Sequence, residues 1–197
     1  MINILHESFP DSVRADGRSY PVQTDFRRWL RFNDLNADKN IQANEKIIAL
    51  VMFLKQRPLP HITENLVSEL LAFYRADSLE YRPEQDEGEE EEQEMPPIRP
   101  PVFNWCIDAR YVLGDFRQFY QIDLINIDYL HWWKFMSLFA ALPEESQCSK
   151  RMAYRSADLS QIKNEAEKTR IRKIQRAIML PFEYDDEMIG DMFGGIM

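Results

Sequence analysis

One stretch constrains the fold of this chain more than any other: PEQDEGEEEEQEMPPIRPP, Pro83 to Pro101. It holds eight acids, one arginine and five of the eleven prolines. Such a run cannot bury apolar area, and its like charges repel. Folded structure must therefore lie to either side. The expected organisation is an N-terminal unit over residues 1–82, an acidic disordered linker over 83–101, a C-terminal unit over 102–181 and a mobile acidic tail over 182–197. As a flexible coil the linker spans roughly 25 Å root-mean-square, and proteolysis there is expected to leave two stable fragments.

Charge follows the same division. Residues 1–82 carry 11 acids and 11 bases, and residues 102–181 carry 9 acids and 12 bases. The net charge of −9 thus resides in the linker and in the last sixteen residues, which hold 5 acids and no base. This balance argues against nucleic acid as the main partner. Cys106 and Cys148 fit neither zinc spacing nor a secreted disulfide framework. The longest apolar run, Ile47 to Leu54, is too short to span a bilayer, which takes about 20 residues. MINILHESFPD lacks the basic start and long apolar stretch of a signal peptide. A soluble protein inside the cell is expected.

Before the linker, SVRADGRSYPV centres on Asp16-Gly17, a pair suited to positive φ at both positions of a tight hairpin. Three helical patterns follow. TDFRRWLRFNDL has a cap at Thr24 or Asp25 and apolar positions at Phe26, Trp29 and Leu30. NEKIIALVMFLK runs from a cap at Asn44 to Lys55. TENLVSELLAFYR has Thr63 as cap and a stripe of Leu66, Leu70, Phe73 and Tyr74. The fold class is mainly α: a helical N-terminal unit with a short β-hairpin, and a helical C-terminal unit.

After the linker, FNWCIDARYVLGDFRQFY reads as one long helix with Trp105, Val112, Phe116 and Phe119 on one arc. Asp108 and Asp115 share one flank and Arg110 and Arg117 another, the alternation of a solvated edge. IDYLHWWKFMSLFAALPE suggests a helix capped by Asp128 and ended by Pro143. Its two stripes, Trp132-Phe135-Phe139 and Trp133-Met136-Ala140, make an apolar arc wide enough for a helix packed on several sides. The favoured reading is a central core helix; the alternative is that the second stripe forms a partner-binding groove. DLSQIKNEAEKTRIRKIQRAIML reads as a last helix from Asp158, boxed by Gln161, to about Leu180. Its apolar face rotates partway along, so it bends or packs on two surfaces. It carries Lys163, Lys168, Arg170, Arg172, Lys173 and Arg176, either a solvated face or an electrostatic seat for an acidic segment. Aromatic residues do not interleave with these bases as a single-strand binder requires. In the tail, Met188, Ile189, Met192 and Phe193 could dock as a short adaptable helix.

Enzyme signatures are missing. There is no Gly-rich phosphate loop, HExxH or GxSxG. His6, His61 and His131 stand alone, and Glu89 to Glu92 lacks calcium-loop spacing. No catalytic, cofactor-binding or metal-ligating residue is assigned.

Four segments carry a resemblance: YPVQTDFRRWLRF (Tyr20 to Phe32), FNWCIDARYVLGDFRQFYQIDL (Phe103 to Leu124), LHWWKFMSLFAALPE (Leu130 to Glu144) and MAYRSADLSQIKNEAEKTRIRKIQRAI (Met152 to Ile178). Together they resemble the bacteriophage gene-product-fifteen family of tailed phages and prophages of Gram-positive bacteria. Leu-His-Trp-Trp-Lys-Phe and Tyr-Arg-x-x-Asp-Leu-Ser-x-Ile-Lys are the most specific parts. The resemblance implies a non-enzymatic tail-module protein in the bacterial host cytoplasm, a tail assembly chaperone for the tape-measure protein. It offers no catalytic residues to carry over. A structural virion component, such as a connector or completion protein, and a nucleic-acid-binding regulator are the competing readings. Tape-measure protein or other tail proteins are the expected partners, with self-association besides and no membrane. Trp132, Trp133, Phe139, Arg170, Lys173, Met192 and Phe193 are the candidate partner-binding residues.

Overall fold

A computed structural model describes residues 6–79 and 100–181. The linker from Pro83 to Arg99, and the tail with Met192 and Phe193, lie outside the described residues. The fold is mainly α. In chain order come β1 (Ser12–Ala15), β2 (Arg18–Pro21), α1 (Phe26–Ala37), α2 (Ala43–Val51), α3 (Glu64–Arg75), a 3-10 turn (Asp77–Leu79), α4 (Ala109–Tyr120), α5 (Trp132–Ala140), α6 (Gln147–Ser156) and α7 (Glu165–Ile178). They form two compact units, one of residues 1–84 with 122–141, the other of 85–121 with 142–197. This differs from the contiguous C-terminal unit over 102–181 expected from sequence, because the segment around α5 packs in the first unit.

In the first unit, Asp16 and Gly17 both have positive φ (52° and 72°) and close the two-stranded hairpin with Ala15 opposite Arg18. The Asp16 carboxylate accepts from Thr63 Oγ1 at 2.6 Å and Asn65 Nδ2 at 3.1 Å. Thr63 Oγ1 in turn accepts from Leu66 N, so one relay ties the hairpin tip to the α3 cap. Asp25 caps α1, as expected, by accepting from Arg27 N.

The cap of helix α2 is Gln42, two residues before the expected cap Asn44, with Gln42 N donating to Glu45 Oε2. The helix also ends short of Lys55. Phe53 to Lys55 leave the helix because their backbone pairs elsewhere: Lys55 N donates to Pro21 O and Gln23 N to Phe53 O. Tertiary hydrogen bonds here override a helical pattern.

The core of this unit is aromatic. Trp29, fully buried, lies against Phe32, Phe53, Phe73, Tyr74 and Trp132, and its indole donates to Gln23 O. Phe135 stacks on Phe26 at 4.8 Å. The adjacent tryptophans of α5 have distinct tasks. Trp132 Nε1 donates to Tyr74 O and Trp133 Nε1 to Phe73 O, each at 2.7 Å. These carbonyls belong to the last turn of α3, where a helix runs out of internal donors. The α5 segment is held from its other side by Phe26 N to Leu130 O and Trp132 N to Thr24 O. Arg27 adds hydrogen bonds to the carbonyls of Leu124 and Ile127.

In the second unit α4 packs on α6, and α6 on α7. Helix α4 starts at Ala109 rather than Phe103. Asn104 Oδ1 accepts from Cys106 N and Ile107 N, and Asp108 Oδ2 accepts from Asn104 N, so side chains take backbone donors that a helix would use. Helix α6 was not expected from the sequence. Ser146 caps it by accepting from Ser149 N. The single long final helix is also corrected. Asp158 closes a turn through Ser160 N, and α7 starts only at Glu165, behind its cap Asn164. The rotated apolar face of the sequence pattern is this break: Leu159 and Ile162 precede α7, and Ile171 is its buried anchor.

Truncating Phe135, which has no exposed surface, to Ala should cost about 3–5 kcal/mol in denaturant unfolding. Trp133→Phe, which keeps an aromatic ring but removes one of the two donors to the Phe73 carbonyl, should cost about 0.5–1.5 kcal/mol. A smaller loss for the second than for the first separates hydrogen bonding from packing. Because the first unit needs residues from both sides of the linker, cutting within 83–101 should yield fragments that co-elute natively and part only in denaturant. Fragments that separate without denaturant would show that α5 is dispensable to the first unit.

Candidate functional site

His131, the histidine most suggestive of chemistry, is a structural residue. Its Nδ1 accepts from Trp133 N at 3.0 Å as the N-cap of α5, in place of the expected Asp128, which is exposed. Its Nε2 meets Pro10 O at 2.9 Å, and its ring stacks on Phe9. Burial pushes its pKa below the ordinary value of 6.5. That keeps the ring neutral, with one nitrogen accepting at the cap and the other donating to the carbonyl.

The second unit is organised around two buried carboxylates. Asp108 and Asp115 are each 1% exposed, which corrects their reading as a solvated edge. Asp115 Oδ1 accepts from Gln147 N at 3.0 Å and its Oδ2 from Cys148 N at 2.8 Å, closing the N-terminus of α6. Beside it Cys148 is buried, and burial together with Asp115 drives its thiol far above the ordinary range, so it stays protonated and inert.

Asp108 receives both ends of a guanidinium, Arg155 Nη1 to Oδ2 at 2.6 Å and Nη2 to Oδ1 at 2.9 Å, with Arg151 Nε at 3.4 Å. Arg155 also donates to Ile178 O and Val102 O. One side chain on α6 therefore fixes the approach to α4 and the end of α7. Burial disfavours the Asp108 anion, but Arg155, the Asn104 N–H and Arg151 outweigh it and hold the carboxyl below its usual 3.8. The sequence shows Asp108 and Asp115 only as charges at helical spacing, a pattern identical for exposed and buried positions, and Arg155 only within Tyr-Arg-x-x-Asp-Leu-Ser-x-Ile-Lys.

The surface left for a partner is different in each unit. On α7, Gln175 Nε2 donates to Tyr154 O and Ala157 O, and Ile171 faces inward. Arg170, Arg172, Lys173 and Arg176 are exposed, and none has a carboxylate partner among the described residues. In the first unit α2 and α3 border a groove of about 390 Å³ lined by Ile47, Ile62, Val67 and Leu71. Ile48 and Met52 nearby are about half exposed.

Of the residues singled out in the sequence, Arg170 and Lys173 thus lie together on an open helix face. Phe139 is half-buried on α5. Trp132 and Trp133 are enclosed in the core, 2% and 3% exposed. Their indole donors are spent on α3, so they are not a partner-binding stripe. The α2–α3 groove was missed: Ile47 and Ile48 sit in what reads as an ordinary buried run. Among the described residues no group of three or more His, Cys, Asp or Glu is placed to hold a metal ion, and no helix is long and apolar enough to cross a membrane.

Replacing Arg155, whose side chain is 4% exposed, with Ala would leave the Asp108 carboxylate buried with only the Asn104 N–H and the more distant Arg151 as partners. That should cost about 3–5 kcal/mol of stability. Since Asp108 has a lowered folded-state value, its contribution is complete above pH 3.8 and disappears as pH falls through that lower value. Acid unfolding of the parent should therefore steepen below pH 3.8, and Asp108→Asn should flatten it.

No curated protein and no solved structure matches this chain. A family profile described as Bacteriophage Gp15 protein matches residues 5–180, from ahead of the hairpin to past the end of α7. With nearly the whole chain covered, the protein belongs to this bacteriophage family.

Proposed function

We propose that the protein is a non-enzymatic tail assembly chaperone that holds the tape-measure protein in the host cytoplasm before the tail closes around it. The observation that supports this reading is the α2–α3 groove. It offers Ile47, Ile62, Val67 and Leu71 in a family of phage proteins. A long apolar helical client needs such a groove, in which side chains at i, i+3, i+4 and i+7 of an amphipathic helix are received. A chaperone must also release its client, so a shallow groove rather than a deep pocket suits the task.

The competing reading within the same family is a structural component of the virion. The two part on stoichiometry. Purified virions analysed by mass spectrometry should lack the protein, and co-expression with the tape-measure protein should capture it. The double variant Ile47→Glu, Ile62→Glu should weaken capture by about tenfold or more, the equivalent of 1.4 kcal/mol, while leaving thermal unfolding nearly unchanged, because both residues are exposed. Stoichiometric presence in virions would sink the chaperone role in favour of the structural one.

A further inference from the structure

At the end of α7, Arg172 and Arg176 are exposed and have no carboxylate partner among the described residues. Arg172, Gln175, Arg176 and Met179 recur at i, i+3, i+4 and i+7. With Pro100 and Leu180 they line a cavity of about 350 Å³. Most polar groups here are already committed. Gln175 is bound to the carbonyls of Tyr154 and Ala157, and Arg155, also at the cavity, to Asp108, Ile178 and Val102. What remains is the guanidinium pair Arg172 and Arg176 and the exposed thioether of Met179, 68% accessible. An occupant must supply carboxylates and a neighbouring apolar group.

The chain itself supplies both, starting at the cavity wall. Leu180 lines the cavity, and the residues after Pro181 are Phe182-Glu183-Tyr184-Asp185-Asp186-Glu187. We propose that residues 182–187 fold back on α7 of the same molecule. An aromatic ring then covers Met179 in the cavity, and carboxylates of Asp185, Asp186 and Glu187 meet Arg172 and Arg176.

The reach is sufficient. Arg172 lies about 10 Å along the helix axis from Met179 at 1.5 Å per residue. Seven residues beyond Leu180 extend up to about 24 Å, enough to reverse and return. The acidic linker is the poorer occupant, since its last carboxylate, Glu94, lies six residues before Pro100 and it has no aromatic residue. Exposed ion pairs are individually weak and screened within about 8–10 Å at physiological salt. A tether this short compensates by holding the local concentration near the millimolar range. The contact is thus occupied at low salt and open at high salt. It stands independently of the chaperone role.

The test is amide NMR of the full chain, following residues 182–187 between about 20 mM and about 500 mM salt, across which the screening length falls several-fold. The tail amides of the parent should shift with salt, and Arg172→Gln with Arg176→Gln should remove most of that shift. Arg172→Lys with Arg176→Lys should retain it. Should the glutamine variant not fold, Asp185→Asn, Asp186→Asn and Glu187→Gln remove the same contact from the other side. Tail amides identical in parent and charge-neutralised chains at low salt would overturn the proposal. A shift that weakens on tenfold dilution would overturn its intramolecular form, since the occupant would then be a second copy.

Discussion

Two hydrogen bonds, each 2.7 Å long, join the indoles of Trp132 and Trp133 to the carbonyls of Tyr74 and Phe73, and the first unit depends on them. They solve two problems together. The carbonyls of the final turn of α3 have few internal donors, Phe73 O accepting only from the Ala76 N–H at 3.1 Å within its own element, and they face an aromatic core. The indole N–H groups face the same difficulty inside an aromatic cluster. Pairing them leaves the apolar parts of both rings free to pack on Tyr74 and Phe73. No described buried side-chain nitrogen or oxygen is left without a partner.

The second unit answers the same requirement with charge in place of aromatic donors. Among its described residues few large side chains are buried, and Phe116 is the largest fully buried ring. Position is set instead by Asp108, Asp115 and Arg155, whose bonds connect α4, α6 and the end of α7. Burying an ion pair gains little net stability over an apolar replacement, but losing one partner is costly. Arg155 therefore serves to specify which surfaces meet. Its consequence for the surface is direct: with Ile171 and Gln175 facing inward, the bases of α7 can only face out.

Local chemistry was legible in the sequence where it acts over a few residues. Asp16-Gly17 gave away the hairpin, Asp25 and Thr63 the starts of α1 and α3, and the double apolar stripe the core placement of Trp132. What sequence could not show depends on partners far along the chain. The α5 helix reads as part of the later unit, and only the long-range pairing with α3 assigns it to the first. Asp108 and Asp115 have the spacing of a solvated edge, since periodicity reports a face and not what covers it. Helix α6, QCSKRMAYRS, carries too few apolar residues to be seen, because its placement rests on Asp115 and Ser146. In the final region, a side-chain cap at Asn164 interrupts what looks like continuous helix. For the candidate surfaces, Arg170 and Lys173 were legible as exposed bases, whereas the α2–α3 groove is an accident of which Ile side chains are left over once Leu50, Val51 and Leu54 are buried.

The pairing of α5 with α3 also sets a timetable during synthesis. The last turn of α3 leaves the ribosome about 58 residues ahead of the tryptophans that complete it. At bacterial to eukaryotic elongation rates of about 5–20 residues per second, that gap lasts roughly 3–12 s. During it Trp29, Phe73 and Tyr74 have no lid, and the intervening residues, including the acidic stretch, are the next to emerge. A nascent chain in this state presents an aromatic surface followed closely by a dense block of negative charge.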